Sequence, residues 1–219
     1  PKLALVHRLS ESRRVFASLT RATRAPQTTD LYRLRDADRT GPLEPDPADV
    51  DSETLDSFEI GYRSFSSGLS YEVSLFTMRK ENYHFRDGSD YYETDGETSH
   101  EGVELELDWQ INDALSLHSG VSWAKHEYAF NRDVTGGNAL ETITDGNYID
   151  SAPKTLGNST LRWQATPRLS AAAQWEHVGS YYMDASNTQK YDGHDLINLA
   201  LNMNLREGVS LEGRVLNLF

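Results

Sequence analysis

Histidines are the residues of this chain whose spacing is most informative about catalysis. A hydrolytic site needs a nucleophile or an activated water that is held by a histidine with a carboxylate partner. The seven histidines are scattered over 219 residues, and none stands in a recognisable catalytic motif. We therefore predict no catalytic residue and no enzyme, and we expect His118 and His126 to be hydrated side chains on one strand.

The acidic segment with Asp46, Asp49, Asp51 and Glu53 is the second place where chemistry could occur. Carboxylates bind calcium in loops that have a regular spacing of ligands. The spacing here does not match a known calcium loop, so a solvated acidic loop is the better interpretation. The chain has no cysteine, which excludes a disulfide framework and a thiolate metal site. We predict neither a metal site nor a cofactor.

Residues 102–111 carry the most regular pattern in the sequence. Every odd position from Val103 to Ile111 is apolar, and every even position from Glu104 to Gln110 is charged or polar. Because successive side chains of a strand point to opposite faces, this pattern predicts one apolar face and one wet face. Such a strand suits a membrane barrel with a hydrated lumen or a soluble sandwich, and the stretch alone leaves both open.

Composition narrows the classes of protein. The net charge of −13 argues against a nucleic-acid partner, which would need clustered Lys and Arg. The mean hydropathy is −0.62, and no run of about 18 apolar residues could form a transmembrane helix. A membrane barrel stays possible because its strands are only half apolar. The start at Pro1 has no signal-peptide pattern, so we expect either a cytosolic protein or a missing start.

Ten segments alternate as strands do, and no segment has a helical period. Short turns follow the odd-numbered strands and longer loops follow the even-numbered ones, at about residues 24–51, 87–96, 124–159 and 183–194. Outer-membrane barrels have this asymmetry, with short periplasmic turns and long extracellular loops. We therefore predict an all-β, antiparallel transmembrane β-barrel in which Trp109 and Trp163 belong to an aromatic girdle. The predicted strands are residues 3–9, 15–20, 57–63, 71–85, 102–111, 115–123, 160–163, 169–176, 197–205 and 209–219.

Several segments resemble the TonB-dependent outer-membrane receptor family. Residues 15–26 are similar to a strand and loop entry of that family that ends in Arg-Ala-Pro, and Leu31-Tyr32 follows it. Residues 53–63 resemble its Glu-x-Gly-x-Arg strand, and residues 74–83 resemble the next strand. Residues 102–106 read Gly-Val-Glu-Leu-Glu, as in that family, and residues 217–219 resemble the Asn-Leu-Phe that opens its last extracellular loop. These pieces occur in the order of the family.

The resemblance implies a piece of a larger barrel. Members of the family have an N-terminal plug domain and about 22 strands around a plugged lumen. Residues 1–219 are then a partial β-barrel domain of about ten meandering strands, roughly strands 12–21, with the plug domain and the final strand absent. The alternative is a complete ten-stranded barrel, such as a protease or lipase, that ends on Phe219. Strand direction argues against it, because Phe219 would end outside the cell.

The resemblance also implies a function in the outer membrane of a Gram-negative bacterium. Members of the family take up a scarce solute, usually a ferric siderophore, and haem, cobalamin or a glycan are the alternative solutes. TonB with ExbB and ExbD supplies the energy through the plug, and the barrel performs no chemistry. The expected partners are therefore the solute, TonB-ExbB-ExbD and outer-membrane lipid, and no nucleic acid.

Ligand-binding residues are expected in the long loops. Arginine offers fixed donors to carboxylate or catecholate oxygens, and tyrosine offers a flat amphipathic contact. In the alternative interpretation the arginines balance nearby Asp36 and Asp38, and the tyrosines belong to the girdle. The candidate ligand-binding residues are Tyr32, Arg33, Arg35, Tyr91, Tyr92, Tyr181 and Tyr182. The strand residues predicted to face the lumen are Glu59, Glu104, Glu106, Asp108 and His118.

Overall fold

The structure is a computed structural model, and it describes residues 1–26, 32–33, 44–45, 51–86, 92–136 and 139–218. It describes the backbone alone for residues 32–33, 44–45, 86, 92–94, 135–136 and 139. The described residues form strands and turns. No helix among them is long and apolar enough to cross a membrane.

Sixteen strands form in the described part of the chain, and ten of them build one large sheet. The strands are β1 Lys2–Arg8, β2 Arg13–Arg24, β3 Tyr32–Arg33, β4 Glu44–Pro45, β5 Glu53–Ser66, β6 Leu69–Arg86, β7 Tyr92–Asn112, β8 Leu115–Tyr128, β9 Arg132–Gly136, β10 Ala139–Ile143, β11 Thr155–Thr166, β12 Leu169–Val178, β13 Tyr181–Tyr182, β14 Lys190–Tyr191, β15 His194–Arg206 and β16 Val209–Val215.

The large sheet is an antiparallel meander. Its order is β1-β2-β5-β6-β7-β8-β11-β12-β15-β16, so each strand pairs with the strands of this sheet that come before and after it in the chain. This confirms the prediction of ten meandering antiparallel strands. Among the described strands β1 and β16 are the two edges, and the sheet is open. Three two-stranded hairpins, β3-β4, β9-β10 and β13-β14, lie in the longer connections.

Two central strands are longer than the sequence pattern predicts. β6 has 18 residues and β7 has 21, and β7 begins at Tyr92. The predicted loop over residues 87–96 is therefore wrong in its second half. A Cβ atom on Gly96 would lie 2.8 Å from the carbonyl oxygen of Tyr83 and 3.0 Å from the ring of Phe85. This glycine permits a close approach of two strands and does not form a turn.

The strand register divides the side chains of the sheet into two faces. Directly paired residues of neighbouring strands share a face, and so do residues two apart on one strand. We call directly paired residues on neighbouring strands a row. One row of β6, β7 and β8 consists of Ser74, Glu104 and Ser122. The next row, on the opposite face, consists of Leu75, Val103 and Trp123. The predicted lumen-facing residues all lie on one side, which we call the polar face: Glu59, Glu104, Glu106, Asp108 and His118.

The opposite side, which we call the apolar face, is covered by large hydrophobic side chains, and no second layer of protein among the described residues contacts them. Leu75 is 55% exposed, Trp163 is 52% exposed and Leu201 is 46% exposed. A soluble sheet would bury such a face against another layer. Transmembrane strands instead alternate between apolar residues that meet lipid and polar residues that meet the lumen. The described part of the sheet follows this pattern.

Two glycines of the family-like segments lie beneath aromatic rings on the polar face. A Cβ on Gly61 would lie 2.3 Å from Phe16 Cζ, and a Cβ on Gly102 would lie 2.7 Å from Phe76 Cζ. The end of each phenylalanine ring thus lies over a glycine of the neighbouring strand, and it shields the backbone there. These contacts are a physical reason for the glycine in both segments.

Candidate functional site

Acidic side chains dominate the centre of the polar face. Glu104 and Glu106 are exposed, and Asp108 accepts a hydrogen bond from the ring of His118 at 2.7 Å. Glu59 accepts a hydrogen bond from the Ser18 hydroxyl at 3.3 Å. The register brings these predicted residues together on one face. Their contact with lumen water stays a prediction.

The end of the sheet that carries the longer connections holds a compact hydrophobic core. Phe85, Tyr128, Val134, Ile143 and Ala185 are buried there. They come from β6, β8, the β9-β10 hairpin and the connection between β12 and β15, so the core joins two loops to the sheet. Partly buried side chains packed against it are Tyr83, Phe130 and Ile149. We call this unit the loop platform.

Hydrogen bonds between residues 129–154 and residues 179–193 fasten the loop platform. The backbone N–H of Ala185 donates to Glu141 Oε2 at 2.6 Å, and the N–H of Thr142 donates to Ser186 Oγ at 2.7 Å. A further bond joins β8 to the first of these two stretches, because the hydroxyl of Tyr128 donates to Asp150 Oδ1 at 2.6 Å. Burial, together with the bond to Asp150, raises the pKa of the Tyr128 hydroxyl, so this residue stays a neutral donor.

Asp184 organises the turn between β13 and β14, at the tip of residues 179–193. Its carboxylate accepts hydrogen bonds from the N–H of Gln189 at 2.7 Å and from the hydroxyl of Thr188 at 2.8 Å. Burial by itself would raise the pKa of Asp184, but the bonds from Gln189 and Thr188 outweigh it and lower the pKa. The carboxylate is therefore charged at neutral pH and fixes the shape of the tip.

An ion pair closes the neck of the longest loop, where the chain leaves β2 and enters β5. Arg24 Nε lies 2.6 Å from Glu53 Oε2, and only 7% of Glu53 is exposed. Burial raises the pKa of Glu53, but hydrogen bonds from Arg24 and from the N–H of His84 reverse the direction and lower it. The sequence interpretation of Glu53 as a solvated loop carboxylate is wrong, because strand pairing places it opposite Arg24.

Tyr181 belongs to an aromatic cluster on the polar-face side. Its ring centroid lies 5.1 Å from that of Tyr191, and the Tyr191 hydroxyl lies 2.9 Å from His194 Nδ1. His194 shares its row with Glu104 through β8, β11 and β12. Together these three rings present flat apolar faces, hydroxyl groups and an imidazole on that side.

Tyr182 points to the other side. Its ring stacks on Tyr148 at 6.0 Å between centroids, and Lys154 Nζ lies 3.7 Å from the centroid of the Tyr148 ring. Tyr148 is bridged to Glu127, whose side chain is on the apolar-face side. The structure thus separates two neighbouring candidate residues, and the location of Tyr182 fits an aromatic girdle.

The other candidate ligand-binding residues are only partly described. The backbone of Tyr32 and Arg33 pairs with Pro45 and Glu44, which places both residues on a hairpin within the longest connection. Tyr92 is the first residue of β7. The side chains of these three residues, and all of Arg35 and Tyr91, lie outside the described residues.

Near the end of the apolar face, three side chains form a hydrogen-bonded series of a hydroxyl, an imidazole and a carboxylate. Hydrolases use the same order of groups in their catalytic triads. Thr155 Oγ1 lies 3.0 Å from His177 Nε2, and His177 Nδ1 lies 2.9 Å from Asp195 Oδ1. A Cβ placed on Gly179 would lie 2.1 Å from Thr155 Oγ1. Because the Thr155 hydroxyl packs so closely against that backbone, the series favours a structural contact between strands over a nucleophile.

Ten antiparallel strands with an exposed apolar face, a charged opposite face and a loop platform at one end define a transmembrane β-barrel protein. Residues 1–218 match the family model described as TonB dependent receptor-like, beta-barrel. The chain belongs to this family, whose members are receptors and transporters of the outer membrane.

Curated relatives have modest identity to this chain. The "Probable TonB-dependent siderophore receptor PiuA" of Acinetobacter baumannii is 23% identical over 173 residues, which are 77% of this chain and 23% of that protein. The "Ferrioxamine receptor" of Yersinia enterocolitica is 25% identical over 146 residues, which are 65% of this chain and 19% of that protein. The chain therefore spans about a quarter or less of these relatives' length.

A solved structure has the same fold. The crystal structure of the siderophore receptor PiuA from Acinetobacter baumannii superposes with a TM-score of 0.81 at 19% identity, over 99% of this chain and 31% of that one. At this identity the similarity concerns the fold alone.

Proposed function

We propose that this chain is part of an outer-membrane receptor that takes up a ferric siderophore with energy from TonB. The observation that carries the proposal is the family match over residues 1–218, joined with the names of two curated relatives that bind siderophores. Haem, cobalamin or a glycan are the other solutes to test. A receptor of this kind works in the outer membrane of a Gram-negative bacterium.

The sheet would serve as one sector of a larger closed barrel. The chain spans 31% of the solved receptor that it superposes on, which supports a partial barrel domain over residues 1–219. Unpaired backbone groups at a strand edge cannot be satisfied by lipid, so β1 and β16 need further partners in a membrane. In this arrangement the apolar face meets lipid, and the polar face meets lumen water and a plug through which TonB-ExbB-ExbD acts.

Solute would enter at the loop platform and pass along the polar face. Tyr181, Tyr191 and His194 offer flat rings and hydroxyl or imidazole hydrogen bonds on that side. Arg33 and Arg35 would add cationic donors from the longest loop, and ferric siderophores often carry negative charge. Tyr32, Tyr91 and Tyr92 are the remaining proposed contacts, whereas Tyr182 would act at the membrane interface.

Binding to the purified full-length receptor tests this proposal. We expect ferric catecholate or hydroxamate chelates to bind, and Tyr181→Ala and the double variant Arg33→Ala/Arg35→Ala to bind several-fold more weakly. Tyr182→Ala is the matched control, because its ring lies on the other side of the same hairpin. Equal binding by all variants would show that Tyr181, Arg33 and Arg35 do not contact the solute. Tight binding of haem, cobalamin or a glycan in place of iron chelates would contradict the proposed solute.

A further inference from the structure

We propose that Arg8 and Arg14 form a docking site on the polar face for carboxylates of the plug, the protein segment that would fill the barrel lumen. The inference rests on the proposed function, because without a plug this face would meet water alone. The site lies at the end of the sheet that carries the short turns, where β1 leads into β2 through residues 9–12. The partner is defined by its chemistry, as a segment with at least one Asp or Glu side chain that faces the sheet.

Three arginines stand side by side in one row of the polar face. Arg14 pairs with Arg8 of β1 and with Arg63 of β5, and like charges at directly opposed positions destabilise a sheet. Arg63 has a counterion in the same row, because its Nε donates to the carboxylate of Glu72. Glu72 pairs in turn with Glu106. Among the described residues Arg8 and Arg14 form no ion pair, so the row lacks a carboxylate at its β1 and β2 end.

Aromatic rings hold two of these arginines apart. The guanidinium carbon of Arg14 lies 5.7 Å from the centroid of the Phe65 ring, and that of Arg63 lies 5.5 Å from the centroid of the Phe16 ring. Ring faces attract cations at such distances. Phe65 lies between the row and the short turns, whereas Phe16 lies on the other side of the row. The guanidinium of Arg14 is therefore turned towards β5 and away from the β1 edge of the sheet.

One donor of Arg14 is left without an acceptor. Its Nε is buried, and it has no hydrogen-bond partner among the described residues. A buried donor without a partner costs free energy, and the cost is greater when the group is charged. Arg14 as a whole is partly exposed, so a carboxylate that approaches from the lumen can bind the guanidinium, with two parallel hydrogen bonds in the best geometry.

A fixed protein carboxylate fits this site better than a passing solute does. The opposed charges and the unpaired donor are present in the folded protein at all times, and an anionic chelate would offset them only while it passes. An acidic residue on a strand before β1 would lie next to Arg8 but about 10 Å from β2, and Arg14 is turned away from it. Glu11, in the turn itself, is exposed and forms no ion pair among the described residues. A plug segment that covers the polar face would reach both arginines.

Carbodiimide cross-linking of the full-length receptor in membranes tests the site, because this reagent joins an amine to a carboxylate only where the two are in contact. Arg14→Lys supplies the amine, and mass spectrometry of the cross-linked peptides identifies the carboxylate. We expect a link between residue 14 and an Asp or Glu of the plug. We also expect Arg14→Gln to make hydrogen exchange in the same plug peptide several-fold faster.

Arg13→Lys and Arg13→Gln are the matched controls, because Arg13 is adjacent and exposed but lies on the apolar-face side. Neither should form a link to the plug or change its hydrogen exchange. If Arg14→Lys fails to fold, Arg8→Lys gives the same test from the neighbouring strand.

Two results would overturn the proposal. One is a link from residue 14 only to Glu11, Glu72 or another barrel strand, and the other is the absence of a plug link from both lysine variants. A plug link in a receptor that takes up haem in place of a ferric chelate would still support this site. Uptake of a ferric siderophore without the link would overturn this inference and leave the proposed function standing.

Discussion

Tyr148 and Asn187, 39 residues apart, exchange two hydrogen bonds and so join two loops of the platform. The N–H of Tyr148 donates to Asn187 Oδ1 at 2.7 Å, and Asn187 Nδ2 donates to the carbonyl oxygen of Tyr148 at 2.7 Å. Asn187 has φ of 58°, in the left-handed region that asparagine tolerates better than most residues. One side chain thus serves both the turn and the contact between loops.

Asn187→Ala should loosen the loop platform by about 2–3 kcal/mol, since it removes both hydrogen bonds to Tyr148 and one to Asp184, and places alanine at a positive φ. Hydrogen exchange at the amides of Tyr148 and Ala185 is the measurement, and both should exchange faster. Asn187→Gly keeps the backbone conformation and loses only the hydrogen bonds, so it should show a smaller effect. Unchanged exchange in Asn187→Ala would mean that the two loops are not coupled through this residue.

The assignment of the two faces predicts that arginine substitutions at neighbouring positions differ sharply in how much they destabilise the barrel. Leu105→Arg and Leu201→Arg place a charge on the apolar face and should destabilise the folded barrel by about 2–4 kcal/mol near the bilayer midplane. Glu104→Arg and Asn202→Arg lie on the polar face and should have a much smaller effect. Folding of the full-length receptor into lipid vesicles measures this, and equal losses for the two pairs would show that the faces are assigned wrongly.

The contact of Phe16 with Gly61 predicts a rescue by a second substitution. Gly61→Ala would bring a methyl group to 2.3 Å from the Phe16 ring, so it should destabilise the barrel by about 1–3 kcal/mol. Phe16→Ala/Gly61→Ala should recover part of this loss. The same pairing with Phe76 should fail at Gly102, because a Cβ there also lies 2.6 Å from the carbonyl oxygen of Trp123. If the double variant lost as much stability as the sum of the two single variants, the contact between the Phe16 ring and Gly61 would be contradicted.

The ion pair of Arg24 with Glu53 predicts acid sensitivity at the neck of the longest loop. The pKa of Glu53 is lowered in the folded protein, so its stabilising effect is present above the usual carboxyl pKa and is lost as pH falls through the folded value. Limited proteolysis within residues 25–52 should therefore accelerate on acidification. Glu53→Gln should show faster cleavage already at neutral pH, with little further change in acid. If cleavage of Glu53→Gln depended on pH in the same way as cleavage of the wild type, the ion pair would not be the group that holds the neck closed.

The strands could be predicted from the sequence because period-two alternation is a local signal. Residues 102–111 and 197–205 show it without interruption, and the sheet pairs them as that pattern requires. The extension of β7 to Tyr92 was missed because Asp95-Gly96 is typical of a turn, and only the Tyr83 and Phe85 contacts show why a glycine is needed within the strand.

The candidate site was harder to predict because it depends on contacts between distant segments. Tyr181 and Tyr182 are neighbours in strand β13, so they point to opposite sides. Their ring partners, Tyr191 and Tyr148, show which side each side chain takes. The ion pair of the neck carboxylate Glu53 with Arg24 depends on the register between β2 and β5, which no local pattern gives.

Uptake of a radiolabelled ferric siderophore by cells that produce the full-length receptor tests the central claim most directly. We expect saturable uptake that is lost when the receptor gene is deleted or TonB is removed, and that is restored by the wild type and by Tyr182→Ala but only weakly by Tyr181→Ala. Undiminished uptake in the deletion strain, with lost growth on a glycan or on limiting cobalamin in its place, would contradict the account.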